Sequence, residues 1–267
     1  MPSVSDIISV IEELAPASLA EGWDNTGLQV GDPGARVDRV LVALDPLAAV
    51  MDEARSIGAG MVITHHPLFF RELKRLDLSH GIGAVVNAAV RDGIAIYSAH
   101  TSLDRALPGI SDALASAIGL LDPVPLEKAV GWPDGYGLGR VGRLEGSPAA
   151  ADVARRLKGS LGLAGVNIIG DAGAVVSVAA VCGGSGAGYI GLAREAGADI
   201  YVTGDVKYHE ALDAAKGGMV VLDIGHYGSE LPGVELLAGL LGKSFMKKGW
   251  KVGVDTSRAQ AEPWTRL

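Results

Sequence analysis

The chain contains one cysteine, Cys182, which excludes an internal disulfide and every zinc module built from several thiolates. A reducing compartment is the expected setting. It also lacks an excess or a block of basic residues: Lys and Arg number 23 against 31 Asp and Glu, a formal charge of -8. A groove that tracks long nucleic acid therefore has no electrostatic source, and a small anionic substrate would need a metal to supply positive charge. No apolar run approaches the roughly 20 residues that a membrane span requires. The opening MPSVSDIISVIEELAP has neither the basic start nor the unbroken apolar stretch of a signal peptide, because Asp6, Glu12 and Glu13 interrupt it. It reads as an amphipathic helix capped near Ser3 or Ser5 and ended before Pro16. A cytoplasmic protein without membrane partners is expected. What is present is a chain of 267 residues, 48% hydrophobic and 20% charged, enough for a sizeable core in two lobes or one large α/β unit.

Self-similarity organises the sequence. GAGMVITHH (Gly58 to His66) aligns without gaps on GADIYVTGD (Gly197 to Asp205), an offset of 139 that also sets Ala54-Arg55 against Ala193-Arg194 and Val42 against Val181. Each copy reads as strand, turn, helix and second strand, a βαβ-like unit. Farther on, GIAIYSAHTSLD resembles GGMVVLDIGHYGSE, which sets His100 and Asp104 against His226 and Glu230 at an offset of 126. Both copies then run through Pro-Gly, at Pro108-Gly109 and Pro232-Gly233, into apolar helical patterns. The Pro- and Gly-rich stretch between them sets the expected boundary, with a first α/β lobe over 1–127 and a second over 128–267, the helix after 230 packing back on the first. The competing reading is compositional likeness between unrelated βαβ units; both readings give an α/β fold.

In α/β sheets, ligands gather beyond the carboxyl ends of strands. His65 and His66 follow MVIT, His100 follows IAIYSA, and His226 follows MVVLDIG. Imidazole and carboxylate suit zinc, iron or manganese alike. Adjacent residues on an extended chain point to different sides, so His65 and His66 would serve two neighbouring ions rather than one. His226 and Glu230, four apart, share a face if GHYGSELPG opens a helix. Five residues, His65, His66, Asp104, His226 and Glu230, would suit a two-metal site bridged by Glu230. Taken singly, each histidine would more simply be a hydrogen-bonded rim residue.

Other features have plain structural readings. VCGGSGAGYIGLA places a glycine-rich turn, residues 183–188, between strand and helix, where backbone N–H groups could receive phosphate, but a tight turn is the simpler account. Asp24 and Asn25 in GWDNTGLQVGD read as turn caps, with a role at a site mouth as the alternative. Cys182 reads as a small buried hydrophobe. Lys207 and Arg140 could neutralise a triphosphate, although single basic residues are usually solvated. The tail from Val254 reads as polar and either partly disordered or docked on a neighbour through Trp264.

Together GWDNTGLQVGD, ITHHPLFF, YSAHTSLD, GLGRVG, GDVKYHEALDA and DIGHYGSE resemble the type 2 homologues of GTP cyclohydrolase I, the Ngg-interacting-factor-three-like family, across nearly the whole chain. The resemblance implies two related α/β lobes with a dinuclear metal site in the cleft between them, and a ring-shaped homohexamer. It assigns His65 and Asp104 to one divalent ion, His66 and His226 to the other, and Glu230 to both. At this length the chain corresponds to the short form, without the domain that longer members carry between the lobes. The family name implies hydrolytic opening of the guanine ring of GTP at C8, giving formate and 7,8-dihydroneopterin triphosphate, with His100 or His209 moving protons. For His100 the alternative is to support a ligand, and for His209 a place on a helix surface. Two other readings of the whole remain: a non-enzymatic metal-organised assembly or regulator, and a phosphoesterase acting on a nucleotide-like substrate.

Overall fold

The computed structural model describes residues 1–265. The chain divides into two compact units, Met1–Ala106 with Val234–Ala261, and Leu107–Gly233 with the described residues after Ala261. The first unit opens with α1 (Val4–Leu14), β1 (Gly27–Val30), β2 (Arg39–Ala43), α2 (Ala48–Ile57), β3 (Met61–Thr64), α3 (Gly81–Asp92), β4 (Ala95–Ser98) and α4 (Thr101–Arg105). The second contains α5 (Ile110–Ile118), β5 (Leu121–Val124), β6 (Glu127–Lys128), β7 (Gly137–Leu138), β8 (Arg140–Arg143), α6 (Ala150–Ser160), β9 (Asn167–Ile169), β10 (Val178–Val181), α7 (Ile190–Glu195), β11 (Ile200–Thr203), α8 (Tyr208–Lys216) and β12 (Val220–Asp223). The change back to the first unit falls inside α9 (His226–Lys247), and β13 (Gly253–Thr256) follows it.

Local signals explain the first helix. Ser3 caps α1 by accepting from the Asp6 backbone N–H, Asp6 accepts in return from the Ser3 N–H, and Val4, Ile7, Val10 and Ile11 bury one face. In the first sheet the strand order is β1-β4-β3-β2-β13. β2, β3, β4 and β13 are parallel, and β1 runs antiparallel to β4 at the edge. Leu41, Ala43, Val62 and Ile96 on one face pack with Val50, Met51 and Ala54 of α2 and Val85 and Ala89 of α3, as the two-residue strand period and the helical period require. The second sheet has the order β5-β8-β10-β11-β12-β9. Its central β10, β11 and β12 are parallel, flanked by antiparallel β8 and β9. Ala179, Val181, Ile200 and Val202 face α5 and α6, while Ala180, Cys182, Tyr201 and Val221 face α7 and α8. Cys182 is thus a buried core residue.

The break between units falls before the Pro- and Gly-rich stretch rather than at 127/128. Leu114, Ala115 and Ile118 of α5 bury themselves among residues of the second sheet, and β5 pairs with β8. The Pro/Gly composition marks the β6–β7 hairpin. The tail from Val254 is ordered through its first part. Val254 to Thr256 extend the parallel ladder against β2, and the buried Gln260 accepts from the Leu44 N–H at 2.7 Å. Trp264 is exposed, and Arg266 and Leu267 lie outside the described residues.

The offset of 139 recurs in the hydrogen bonding within each unit. Gly34 N–H donates to Asp32 Oδ1 and Gly173 N–H to Asp171 Oδ1, both at 2.8 Å. The acceptors Ala35 and Ala174 keep the same offset in bonds of 2.9 Å from the N–H groups of Val4 and Ala150, although these two donors lie 146 residues apart. The register also pairs Val42 with Ile63 and Val181 with Val202. The offset of 126 is not kept. Thr64 pairs with Ser98 and Thr203 with Asp223; 223 minus 98 is 125. The backbone equivalent of His226 is therefore Thr101, the first residue of α4 as His226 is of α9, and His100 matches Gly225. Gly225 turns with φ 81°, a left-handed conformation that favours glycine, so the imidazole is supplied one position later in the second unit.

Candidate metal centre

In the first unit, β3 and β4 end side by side and deliver His65 and His66 from one strand and His100 from the next. One ring nitrogen from each of these three residues lies within 4.8 Å of the other two. Each ring is fixed through Nδ1. His65 Nδ1 lies 3.1 Å from the Ala99 carbonyl, His66 Nδ1 2.8 Å from Asp45 Oδ1, and His100 Nδ1 2.8 Å from Asp24 Oδ1. With Nδ1 donating, Nε2 keeps its in-plane lone pair and becomes the ligating atom, an arrangement that metal-binding histidines commonly use. α4 carries Asp104 back towards this group, with Oδ1 3.7 Å from His65 Nε2.

The carboxylate behind His100 is itself anchored. The Asp24 side chain is fully buried and accepts from the Thr101 N–H at 3.0 Å as well as from His100. Burial pushes its carboxyl up, but the hydrogen bonds from His100 and Thr101 outweigh it and bring the pKa down to about 2. Asp24 thus does more than cap its own turn. Thr64 Oγ1 donates to the His66 carbonyl at 2.7 Å and Ser98 Oγ to the His65 carbonyl at 2.8 Å, which holds the two-histidine turn in place.

The second unit repeats the logic around one imidazole. His226 opens α9, its Nδ1 2.7 Å from Asp205 Oδ2, and its Nε2 faces Glu230 Oε2 at 3.1 Å one helical turn on. Asp205 holds this position at φ 56°. Two acceptors facing each other, a deprotonated Nε2 and a carboxylate, require either a second ring proton or a cation between them. The glycine-rich turn explains why Glu230 can lie there. Gly184, at φ 66°, passes so close that a Cβ would overlap Glu230 Oε1 and stand 3.5 Å from His226 Nε2. A Cβ on Gly186 would stand 2.5 Å from Thr203 Oγ1. Gly184 is thus required where the turn packs against the site, and Gly186 where it packs against Thr203 and Tyr201 of β11.

Of the expected site residues, the structure brings together His65, His66, His100 and Asp104 within the first unit, and His226 and Glu230 within the second. His209 is exposed on the first turn of α8, its ring 5.3 Å from that of Tyr208. Arg140 is not a solvated cation but 1% exposed, making a two-pronged pair with Asp112 at 2.6 Å and donating to the Gly137 and Gly139 carbonyls at 2.7 Å. It is committed to the fold and does not serve a triphosphate. Sequence reasoning missed Asp45 and Asp205 and read Asp24 first as a turn cap. The donor set, imidazole and carboxylate with every second ring nitrogen engaged, fits divalent zinc, iron or manganese. No described helix is long and apolar enough to cross a membrane.

Residues 2–263 match the family Duf34/NIF3 (NGG1p interacting factor 3). A Streptomyces coelicolor protein named GTP cyclohydrolase 1 type 2 homolog is 38% identical, over 99% of this chain and 94% of its own. A Clostridium perfringens protein of the same name is 36% identical over 86% of this chain and 87% of its own. Among solved structures, a Staphylococcus aureus hypothetical protein is 29% identical, with 99% of both chains covered and a TM-score of 0.94.

Proposed function

The chain belongs to the Duf34/NIF3 family, and from that premise we propose that it is a divalent-metal-dependent hydrolase of small nucleotide-like substrates, with ring opening of GTP as its reaction. The observation that carries the reading is the fixing of His65, His66, His100 and His226 through Nδ1 by a carbonyl or carboxylate, which leaves the Nε2 atoms of His65, His66 and His226 for a cation and that of His100 for a proton. In the proposal His65 and Asp104 would hold one divalent ion, His66 and His226 a second, and Glu230 would contribute to both. Such ions supply Lewis acidity, polarising the substrate and activating water. The recurring local hydrogen bonds at the 139 offset support reading the two units as copies of one plan. The ring-shaped homohexamer implied by the family belongs to the same proposal, and light scattering on the purified protein would read it.

The protein's own residues supply orientation and proton handling. Asp45 and Asp205 fix the tautomers of His66 and His226, so neither ring can turn its protonated nitrogen towards the ion. His100, held by Asp24, presents Nε2 beside the rings of His65 and His66, where it can take a proton from water or return one to a ring nitrogen of the substrate. His209 has no comparable support among the described residues.

The test is metal content per chain by elemental analysis, followed on the same sample by incubation with GTP and detection of formate. About two ions per chain, with formate release abolished in His66→Ala, is the expected result. A folded protein that retains less than one ion overturns the metal reading. Two ions without formate overturn GTP ring opening, and release of phosphate instead would move the reaction to a phosphoester.

A further inference from the structure

The described surface carries an unusual pair of exposed rings next to the candidate metal centre. Trp23 is 62% and Phe70 58% exposed, although both belong to segments whose neighbouring residues are tightly held. Asp24, next to Trp23, is bonded to His100 and Thr101. Asn25 reaches across, its Nδ2 donating to the Phe69 carbonyl at 2.8 Å and to Gln29 Oε1 at 3.2 Å. Gln29 Oε1 also accepts from the Phe69 N–H at 3.3 Å. The two rings therefore stand on a braced polar frame and meet edge to face, centroids 5.9 Å apart. Each also stands in a T-shaped contact with His100, Trp23 at 5.9 Å and Phe70 at 6.2 Å between centroids.

Between them opens a cavity of about 340 Å³ whose lining includes Trp23, Asn25, Phe70, Arg71 and Glu72. That volume lies at the small end of ligand pockets. It suits a heterocycle rather than a peptide segment, and its lining combines aromatic rings with an amide, a guanidinium and a carboxylate. Exposed aromatics on a rigid frame cost hydration without gaining burial, which is the arrangement of a preorganised stacking seat.

We infer that Trp23 and Phe70 seat the planar heteroaromatic portion of the substrate and place it beside His100, so that these two residues select ring-bearing substrates. The inference rests on the metal-dependent hydrolase reading for what lies next to the seat, but the seat has its own readout. Trp23 and Phe70 act by positioning; neither exchanges a proton with the substrate.

The experiment is calorimetric binding of guanosine 5′-monophosphate, cytidine 5′-monophosphate and ribose 5-phosphate to the full-length protein, with metal content measured on each sample. Wild type should bind both nucleotides at least about tenfold more tightly than ribose 5-phosphate, since base–aromatic stacking is sequence-tolerant. Trp23→Ala should lose most of that preference, Trp23→Phe should keep most of it, and Phe70→Leu should weaken it, all with wild-type metal content. Equal binding of the three compounds by wild type, or an unchanged preference in Trp23→Ala and Phe70→Leu, overturns the inference. Loss of the metal reading would appear separately, as wild-type protein without ions that still prefers the ring-bearing compounds.

Discussion

Gly184→Ala separates the site from the fold, because two costs of the substitution can be isolated by a control. Gly184 has φ 66°, and Gly93, the residue that ends α3, has φ 65° with nothing within 4 Å of an added Cβ. Placing alanine in the left-handed region costs roughly 1–2 kcal/mol at either position. Only at Gly184 does the new methyl overlap the Glu230 carboxylate. The turn cannot retreat easily, since Gly184 N–H donates to Ser229 Oγ at 2.9 Å and the Gly184 carbonyl accepts from Gly204 N–H at 3.0 Å. Glu230 must therefore move, and as a 4% exposed group it moves against packed neighbours. Overpacking of this kind adds about 1–3 kcal/mol, so Gly184→Ala should cost about 2–5 kcal/mol against about 1–2 kcal/mol for Gly93→Ala. Urea denaturation of the two variants reads the difference, and elemental analysis reads its consequence: less than half the wild-type metal in Gly184→Ala and a wild-type amount in Gly93→Ala. Equal destabilisation of the two, with full metal in both, would refute the claim that the glycine makes room for a ligand.

Two further outcomes test the frame. Asp112→Ala takes from the buried Arg140 guanidinium the carboxylate that meets it in two hydrogen bonds and removes the acceptor for the Gly109 N–H that begins α5. Removing one partner of a buried ion pair costs about 3–5 kcal/mol, and a loss below about 1 kcal/mol in urea denaturation would show that the pair is not what joins α5 to β8. Glu53 accepts from Ser257 Oγ at 2.6 Å and from the Arg258 N–H at 3.1 Å. Burial pushes its carboxyl up, but these hydrogen bonds outweigh it and set its pKa below the ordinary 4.5. The stabilisation is then complete above pH 4.5 and fades as the pH falls through the lowered value. The difference in thermal midpoint between wild type and Glu53→Gln should be present at pH 7 and close in that acid range; a gap that persists unchanged well below it would rule out the ionised carboxylate as the cause.

The legible part of the site was the part carried by residue type at the ends of apolar runs. Histidines after MVIT, IAIYSA and MVVLDIG announce themselves because strands are easy to find and imidazole is scarce. The α1 cap was legible for the same local reason. Pro and Gly misplaced the unit boundary because their composition marks sharp turns wherever these occur, here the β6–β7 hairpin. Arg140 was misread because burial is set by the packing of α5 and β8, and a single guanidinium in sequence does not reveal the carboxylate that will meet it.

The carboxylates that fix the histidines were harder to see, yet they leave a signal. Asp45 follows β2 and His66 follows the adjacent parallel strand β3; Asp205 follows β11 and His226 opens the helix after the adjacent parallel strand β12. In both cases the separation is 21 residues, one helical crossover between parallel strands whose carboxyl ends stand level. Any aspartate and histidine placed at those two ends will be neighbours, because the ladder register fixes where each strand stops and the crossover only has to return the chain to the same edge. The spacing is therefore a consequence of βαβ geometry rather than of the metal. It identifies a carboxylate–imidazole pair from sequence when the strands on either side have been recognised. Asp24 escapes this rule because it reaches His100 across 76 residues from a turn before β1, and only the folded backbone brings those two segments together.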